Sequence, residues 1–163
     1  MFSQRTTYLL LFSLTLVLAM LLSVYPLPLA LRWWRPEFVL MMVIYWIYTA
    51  PVRTSLLGLC VLGFFLDVLE GVPFGQHCLS LIIIAYVCIL SYQRVRNYSV
   101  GQQSCWVFVL IGISQLTDNW VQAISGRHVS GLEFLLPDFA SACFWPVCYL
   151  GLERLRRRYR IAG

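Results

Sequence analysis

Six long stretches of apolar residues follow one another along the chain, separated by short segments that hold most of the charged residues. A helix that crosses a bilayer needs roughly 20 apolar residues, and most of the stretches approach that length. The pattern therefore predicts an all-α integral membrane protein, a single domain built as a bundle of about six transmembrane helices. The predicted spans cover about residues 7–25, 38–51, 54–71, 77–92, 104–123 and 138–152, followed by a basic tail over residues 153–163.

Composition favours a membrane protein over a soluble or a disordered one. Of the 163 residues, 60% are hydrophobic and 12% are charged, whereas soluble domains have about 45–50% and about 25%. The polar residues are too few to cover a soluble surface, and disorder requires low hydrophobicity together with high net charge. The first apolar stretch follows Arg5 like a signal peptide, but it exceeds the usual apolar core of about 7–15 residues. We therefore expect it to be retained as a span.

The arginines predict the orientation of the bundle. All twelve basic residues are arginine, and with six spans nine of them fall on the side that holds both termini, against three on the other side. Because cytoplasmic loops carry an excess of basic residues, both termini are expected in the cytoplasm. The net charge of +5 then reflects topology, and no nucleic-acid partner is expected. The tail can contact anionic membrane lipids or a cytoplasmic protein through Arg154, Arg156, Arg157, Arg158 and Arg160.

Acidic residues are distributed the opposite way, six of the seven lying on the predicted outer side. Asp67 lies inside the third span, where a carboxylate is costly and needs a partner. Glu70 follows three residues later and projects from the same helical face, and Asp118 lies at a similar depth on the fifth span. The candidate partners for Asp67 are Arg32 and Arg35 in the first outer loop, with His77 nearby.

Two hypotheses for this carboxylate cluster stay open. It binds a ligand, a metal or a partner protein, or it forms an internal lock of ion pairs and hydrogen bonds that holds the outer helix ends together. Gly58 and Gly63 precede the cluster on the same span and permit close helix approach. The second span, which contains Tyr45, Trp46 and Tyr48, is apolar on every face. That pattern fits contact with lipid or with the transmembrane helix of a partner.

The sequence contains no motif of a common enzyme class. HExxH, GxSxG and the glycine-rich phosphate-binding motifs are all missing, and the six cysteines include no CxxC pair. We therefore expect no enzyme activity, no cofactor and no metal. A small membrane enzyme that uses the carboxylates on a lipid stays open as a further hypothesis.

Two segments resemble a known family. Residues 35–40, Arg-Pro-Glu-Phe-Val-Leu, and the apolar run after them resemble the start of the second span in the bacterial rod shape-determining protein MreD family. Residues 63–75 resemble that family's Gly-x3-Asp-x3-Gly-x3-Gly pattern, in which Gly63, Asp67, Gly71 and Gly75 occupy the named positions. The size, the six-span layout and the basic cytoplasmic tail also fit this family.

The resemblance implies a non-catalytic scaffold in the inner membrane, part of the machinery that elongates the wall of rod-shaped bacteria. The implied partners are MreC, together with MreB, RodA and the elongation transpeptidase, while homo-oligomerisation stays open. The family fold is similar to the substrate-binding membrane subunits of vitamin importers. A small-molecule-binding transport subunit is therefore the alternative function.

Overall fold

The computed structural model describes residues 2–24, 35–51, 54–126 and 135–158. Within these ranges the chain forms six α-helices and no strand, which confirms the predicted all-α fold. Each helix overlaps one predicted span, although α1, α4, α5 and α6 extend further than expected. The helices are α1 Phe2–Val24, α2 Phe38–Thr49, α3 Leu56–Glu70, α4 Gln76–Val95, α5 Val100–Ile124 and α6 Leu135–Arg158.

Local hydrogen bonds explain where two of the helices begin. Ser55 caps α3, its Oγ accepting a bond from the backbone N–H of Gly58 at 3.3 Å. At the start of α5, Ser99 and Gln102 form a capping box: the N–H of Gln102 donates to Ser99 Oγ at 3.4 Å, and the N–H of Ser99 donates to Gln102 Oε1 at 3.0 Å. Both caps satisfy N–H groups that have no partner within the helix.

Successive helices run in alternating directions, so the bundle has two chemically different ends. The acidic end contains the start of α2 and carries Glu37, Asp67, Glu70, Asp118 and Asp138. The basic end contains the last turns of α4 and α6 and carries Arg94, Arg96, Arg154, Arg156, Arg157 and Arg158. Four of the five tail arginines thus continue a helix, and Arg160 lies outside the described residues.

Helix α2 lies at the centre of the bundle. Its residues from Val39 to Ile47 are all buried, because α1, α4, α5 and α6 pack around it. The expectation that its apolar faces contact lipid or a partner's helix is therefore wrong. The 12 residues of α2 extend about 18 Å at 1.5 Å per residue, well short of the roughly 30 Å hydrocarbon core. A helix surrounded by other helices does not need to match that thickness.

Helix α1 attaches to α2 through an aromatic cluster that includes a hydrogen bond. Trp46 Nε1 donates to Thr15 Oγ1 at 3.0 Å, and the Thr15 hydroxyl donates to the carbonyl of Leu11 at 2.8 Å. The rings of Tyr8 and Phe12 lie edge-on to Trp46, with centroids 5.1 and 5.9 Å away. This edge-to-face geometry is the favoured one for aromatic pairs, so it stabilises the α1–α2 contact.

Two helical segments in the described ranges are both long enough and apolar enough to cross a bilayer. They are Thr6–Ser23 in α1 and Gln76–Val95 in α4, whereas α2 is apolar but shorter. The six-span topology, its boundaries and the cytoplasmic location of both termini therefore stay predictions.

Candidate functional site at the acidic end

The turn between α3 and α4 is built around the carboxylate of Asp67, which is 1% exposed. Oδ2 accepts a hydrogen bond from the backbone N–H of Gly75 at 2.7 Å, and Oδ1 accepts one from the backbone N–H of His77 at 2.9 Å. The His77 ring adds a third contact, with Nδ1 lying 2.8 Å from Oδ1. Helix α4 has no capping side chain of its own at Gly75. Asp67 of the neighbouring helix therefore satisfies its first N–H groups.

Glycines make this tight turn possible. Gly71 ends α3 at φ +65° and Gly75 begins α4 at φ +92°, left-handed values that residues with a Cβ rarely adopt. Gly63 serves a different purpose, because a Cβ there would lie 2.5 Å from the Cys78 backbone nitrogen. Helices α3 and α4 thus touch backbone to backbone. The positions of the Gly-x3-Asp-x3-Gly-x3-Gly pattern together build one helical hairpin.

Gly58 does not share this role. A Cβ at Gly58 would meet, among the described atoms, only the side chain of Ser55, the N-cap residue of the same helix, at 3.6 Å. The geometry therefore does not support the expected close helix approach at this position. Gly58 instead borders an apolar groove of about 440 Å³ between α1 and α3.

His77 lies between the two carboxylates that project from one face of α3. Its Nε2 is 3.5 Å from Glu70 Oε2, while its Nδ1 contacts Asp67. Only a protonated imidazole can donate from both ring nitrogens. The contact at Nδ1 makes His77 the side-chain partner of Asp67. Arg35 is not that partner, and its Nη2 is buried without a hydrogen-bond partner in the described part of the chain. The other candidate, Arg32, lies outside the described residues.

Further hydrogen bonds connect the remaining helices at this end. Ser80 of α4 donates to Asp118 Oδ1 of α5. Gln115 of α5 donates to Glu37 Oε1 at 3.0 Å, and the backbone N–H of Glu37 donates to Ser141 Oγ of α6 at 2.8 Å. With the α3–α4 hairpin, these bonds link α2 through α6 in one polar network.

Glu37 occupies an electrostatically unfavourable place in this network. Burial, reinforced by the nearby carboxylates of Glu70 and Asp118, raises the pKa of Glu37 to about 7. The carboxyl group can accept the bond from Gln115 whether or not it is protonated. Glu37 therefore keeps its structural contact while its charge changes near neutral pH.

The sequence reasoning missed several members of the network. Ser80, Gln115 and Ser141 are ordinary polar residues within apolar helices. Only the three-dimensional packing shows that Ser80 meets the Asp118 carboxylate, Gln115 the Glu37 carboxylate and Ser141 the Glu37 backbone N–H. Asp138 is fully buried, and neither of its carboxyl oxygens has a partner among the residues described. The sequence does indicate Glu37, because a charged residue directly before the second apolar stretch lies at the outer end of that helix.

The described part of the acidic end shows only a small cavity beside the carboxylates. Within the described ranges, no group of three or more His, Cys, Asp or Glu side chains is arranged to hold a metal ion. The cavity bordered by Glu37, Glu70, His77 and Asp118 has a volume of about 20 Å³, room for about one water molecule, which needs roughly 10–15 Å³. The small-molecule transport alternative therefore gains no support from this cluster.

Comparison with known proteins decides the family. The family model for the rod shape-determining protein MreD matches residues 3–155. The chain belongs to the MreD family. A relative named rod shape-determining protein MreD from Haemophilus influenzae is 26% identical over 145 residues, which cover 89% of this chain and 90% of the relative. No solved structure matches the chain, so the similarity to vitamin-importer subunits stays a prediction.

Membership in the MreD family gives the chain a role in rod shape determination and identifies it as a membrane protein. This family is not known for enzyme activity. The residues that carried the resemblance in the sequence, Gly63, Asp67, Gly71 and Gly75, are the ones that form the α3–α4 hairpin. In this MreD family member the motif therefore has a structural explanation in the fold itself.

Proposed function

We propose that this MreD family member is a non-catalytic scaffold of the cell-wall elongation machinery in the bacterial inner membrane. Its proposed partners are MreC, together with MreB, RodA and the elongation transpeptidase. The observation that carries this proposal is the family match over residues 3–155. The geometry supports it, because the carboxylates of Asp67 and Asp118 are used in bonds between helices of the chain. A bundle held in this way presents fixed surfaces to its partners.

Within this scaffold, we assign different roles to the carboxylates of the acidic end. Asp67 and Asp118 act as an internal lock, since the first caps α4 and the second accepts the bond from Ser80. Glu70 is better placed for a partner contact, because its side chain is 39% exposed. Arg35 is the second candidate for a partner contact, since it is only partly buried.

The basic end is proposed to face the cytoplasm and the acidic end the periplasm. The excess of arginines on the side of both termini supports this orientation. It places the acidic end near wall synthesis and the helical arginines of α6 near a cytoplasmic filament or the anionic inner leaflet. A scaffold between a filament and the wall needs such a pair of exposed ends.

Depletion of the protein in its rod-shaped host tests the proposed function. We expect rods to become round, and we expect MreC to co-purify with the tagged protein from detergent-solubilised membranes. Complementation with the Glu70→Gln variant should restore the protein level and weaken co-purification, since the variant keeps the lock and changes only the exposed carboxylate. Cells that stay rod-shaped after full depletion would contradict the proposal.

A further inference from the structure

The basic end contains a cavity that the proposed scaffold role does not use. It has a volume of about 350 Å³ and lies among the last turns of α2 and α4, the first turns of α5 and the part of α6 from Trp145 onward. Sites for small molecules are typically about 300–1,000 Å³. We propose that this cavity binds the phosphate-bearing headgroup of an anionic phospholipid. The proposal does not depend on the scaffold function.

Two arginines that line the cavity keep donors that no described residue uses. Arg156 donates from Nε and Nη2 to Glu153, at 3.0 and 2.7 Å. Arg96 donates from Nη1 to the hydroxyl of Tyr92 at 3.1 Å. These bonds occupy two of the five N–H groups of Arg156 and one of the five of Arg96. The remaining groups suit phosphate oxygens, which guanidinium groups bind with strong, charge-assisted hydrogen bonds.

The carboxylate in the cavity wall does not oppose an anionic ligand. Glu153 lines the cavity with the two arginines, and the hydrogen bond from Arg156 holds the pKa of Glu153 below its usual range. Arg157 Nε donates to the same carboxylate at 3.0 Å, and the Tyr45 hydroxyl donates to it at 3.3 Å. The negative charge is therefore compensated by two guanidinium groups, and it fixes Arg156 beside the cavity.

Aromatic rings form the inner wall of the cavity. Trp145, which is 2% exposed, packs against Tyr149 with ring centroids 6.2 Å apart, and Tyr149 packs against Tyr45 at 5.9 Å. Trp145 Nε1 is a buried donor with no acceptor among the described residues. The wall is therefore preformed, and it combines rings that carry O–H or N–H groups, suited to the glycerol ester region, with arginines for a phosphate.

A membrane lipid fits this chemistry better than a soluble phosphate compound does. The cavity lies at the end of apolar helices, at the level of the arginines that close α4 and α6. Tyrosine and tryptophan gather at this level of a bilayer, and anionic lipids attract arginines there. In the predicted orientation the lipid belongs to the inner leaflet. The binding test below does not require that orientation.

Thermal unfolding of the full-length protein in nonionic detergent tests the proposal. Added phosphatidylglycerol should raise the melting temperature in a saturable way, and phosphatidylcholine should not. In the Arg96→Gln variant we expect half-saturation to require at least about 10-fold more phosphatidylglycerol, because the variant loses a charged hydrogen bond to the phosphate. This variant leaves the Glu153–Arg156 pair intact. The matched control is Arg94→Gln. Arg94 is an exposed arginine in the last turn of α4, two residues before Arg96, and does not line the cavity, so this variant should behave like the native protein.

Three results would overturn the proposal. Equal stabilisation by the two lipids would exclude recognition of the anionic headgroup. Equally weakened binding of phosphatidylglycerol in the Arg94 and Arg96 variants would mean that the lipid responds only to general surface charge. A response to glycerol phosphate at the same concentration as to phosphatidylglycerol would assign the cavity to a soluble ligand. Native mass spectrometry from vesicles of mixed phosphatidylglycerol and phosphatidylcholine gives a second readout. One phosphatidylglycerol should stay bound per native chain, and a clearly smaller fraction of Arg96→Gln chains should retain it.

Discussion

The two ends of the bundle use charge in opposite ways. At the acidic end, Glu37, Asp67 and Asp118 accept hydrogen bonds from neighbouring helices. The cavity bordered by Glu37 and Asp118 is about 20 Å³. At the basic end, Arg96 and Arg156 border a cavity of about 350 Å³ and keep donors that no described residue uses. Charge at the acidic end is therefore structural, whereas charge at the basic end is available to a ligand.

The difference follows from the chemistry of the two kinds of side chain. A short carboxylate within a bundle loses its hydration and must be hydrogen-bonded inside the protein. A long arginine side chain can cover apolar surface while its head group stays at the interface. Substitutions at the acidic end should therefore change stability, and substitutions in the cavity at the basic end should change binding.

The largest effect is expected at Asp67. Asp67→Leu would leave the N–H groups of Gly75 and His77 without their acceptor, and each such loss costs about 1–3 kcal/mol. Asp67→Asn should have about half that effect. The two carboxylate oxygens accept from two different N–H groups, and the single amide oxygen of asparagine can accept from only one of them. The melting temperature in detergent measures both variants.

Glu70→Gln serves as the matched control for Asp67. Glu70 projects from the same face of α3 but is 39% exposed and 3.5 Å from His77, so its loss should cost less than about 1 kcal/mol. If Asp67→Leu were no less stable than Glu70→Gln, Asp67 would not cap α4 in the membrane-embedded protein, and the contrast between the two ends would lose its main support.

A smaller effect is expected at Gly63. In Gly63→Ala the new methyl group must push α3 away from the backbone of Cys78, and overpacking of this kind typically costs about 1–3 kcal/mol. Gly58→Ala, on the same helix, adds a methyl group at ordinary contact distance from Ser55 and should be neutral or slightly stabilising. Comparing the melting temperatures of the two variants isolates the contact, and equal values would mean that α3 and α4 are not in backbone contact.

The fold could be predicted from the sequence as far as local signals reach. The apolar stretches show six helices, and Gly71 and Gly75 show the turn between α3 and α4. The position of α2 could not be predicted in the same way, because a helix that is apolar on every face looks the same whether lipid, a partner or its own bundle covers it. Only the packing shows that the residues from Val39 to Ile47 are enclosed by other helices of the chain.

The site could be predicted in part. Asp67 and Glu70 share a helical face by their spacing, and Asp118 lies at the same depth by its place in the fifth apolar stretch. Their partners depend on how far apart the helices are and how they are rotated, which spacing does not contain. Arginine was the electrostatically obvious partner for Asp67, yet His77 and the Gly75 N–H contact its carboxylate because the turn holds them there.

The smallest effect concerns the pH dependence of Glu37. Its pKa is raised from 4.5 to about 7, so between these values the folded protein binds more protons than the unfolded chain, and stability falls as the pH rises. The loss of folding stability is complete above about pH 7, and there is no such loss below pH 4.5. We expect about 1 kcal/mol, the size of one pKa unit, because Glu37 is only partly buried and solvent reduces the cost.

Glu37→Gln tests this dependence, because the amide oxygen can still accept the bond from Gln115 while the group no longer ionises. The variant should be more stable than the native protein at pH 8 and equal to it at pH 4.5, as measured by melting temperature across that range. Parallel pH profiles for the two proteins would show that Glu37 does not titrate between these values. The acidic end would then differ from the basic end only in how tightly its side chains pack, and ionised Glu37 would not lower its stability.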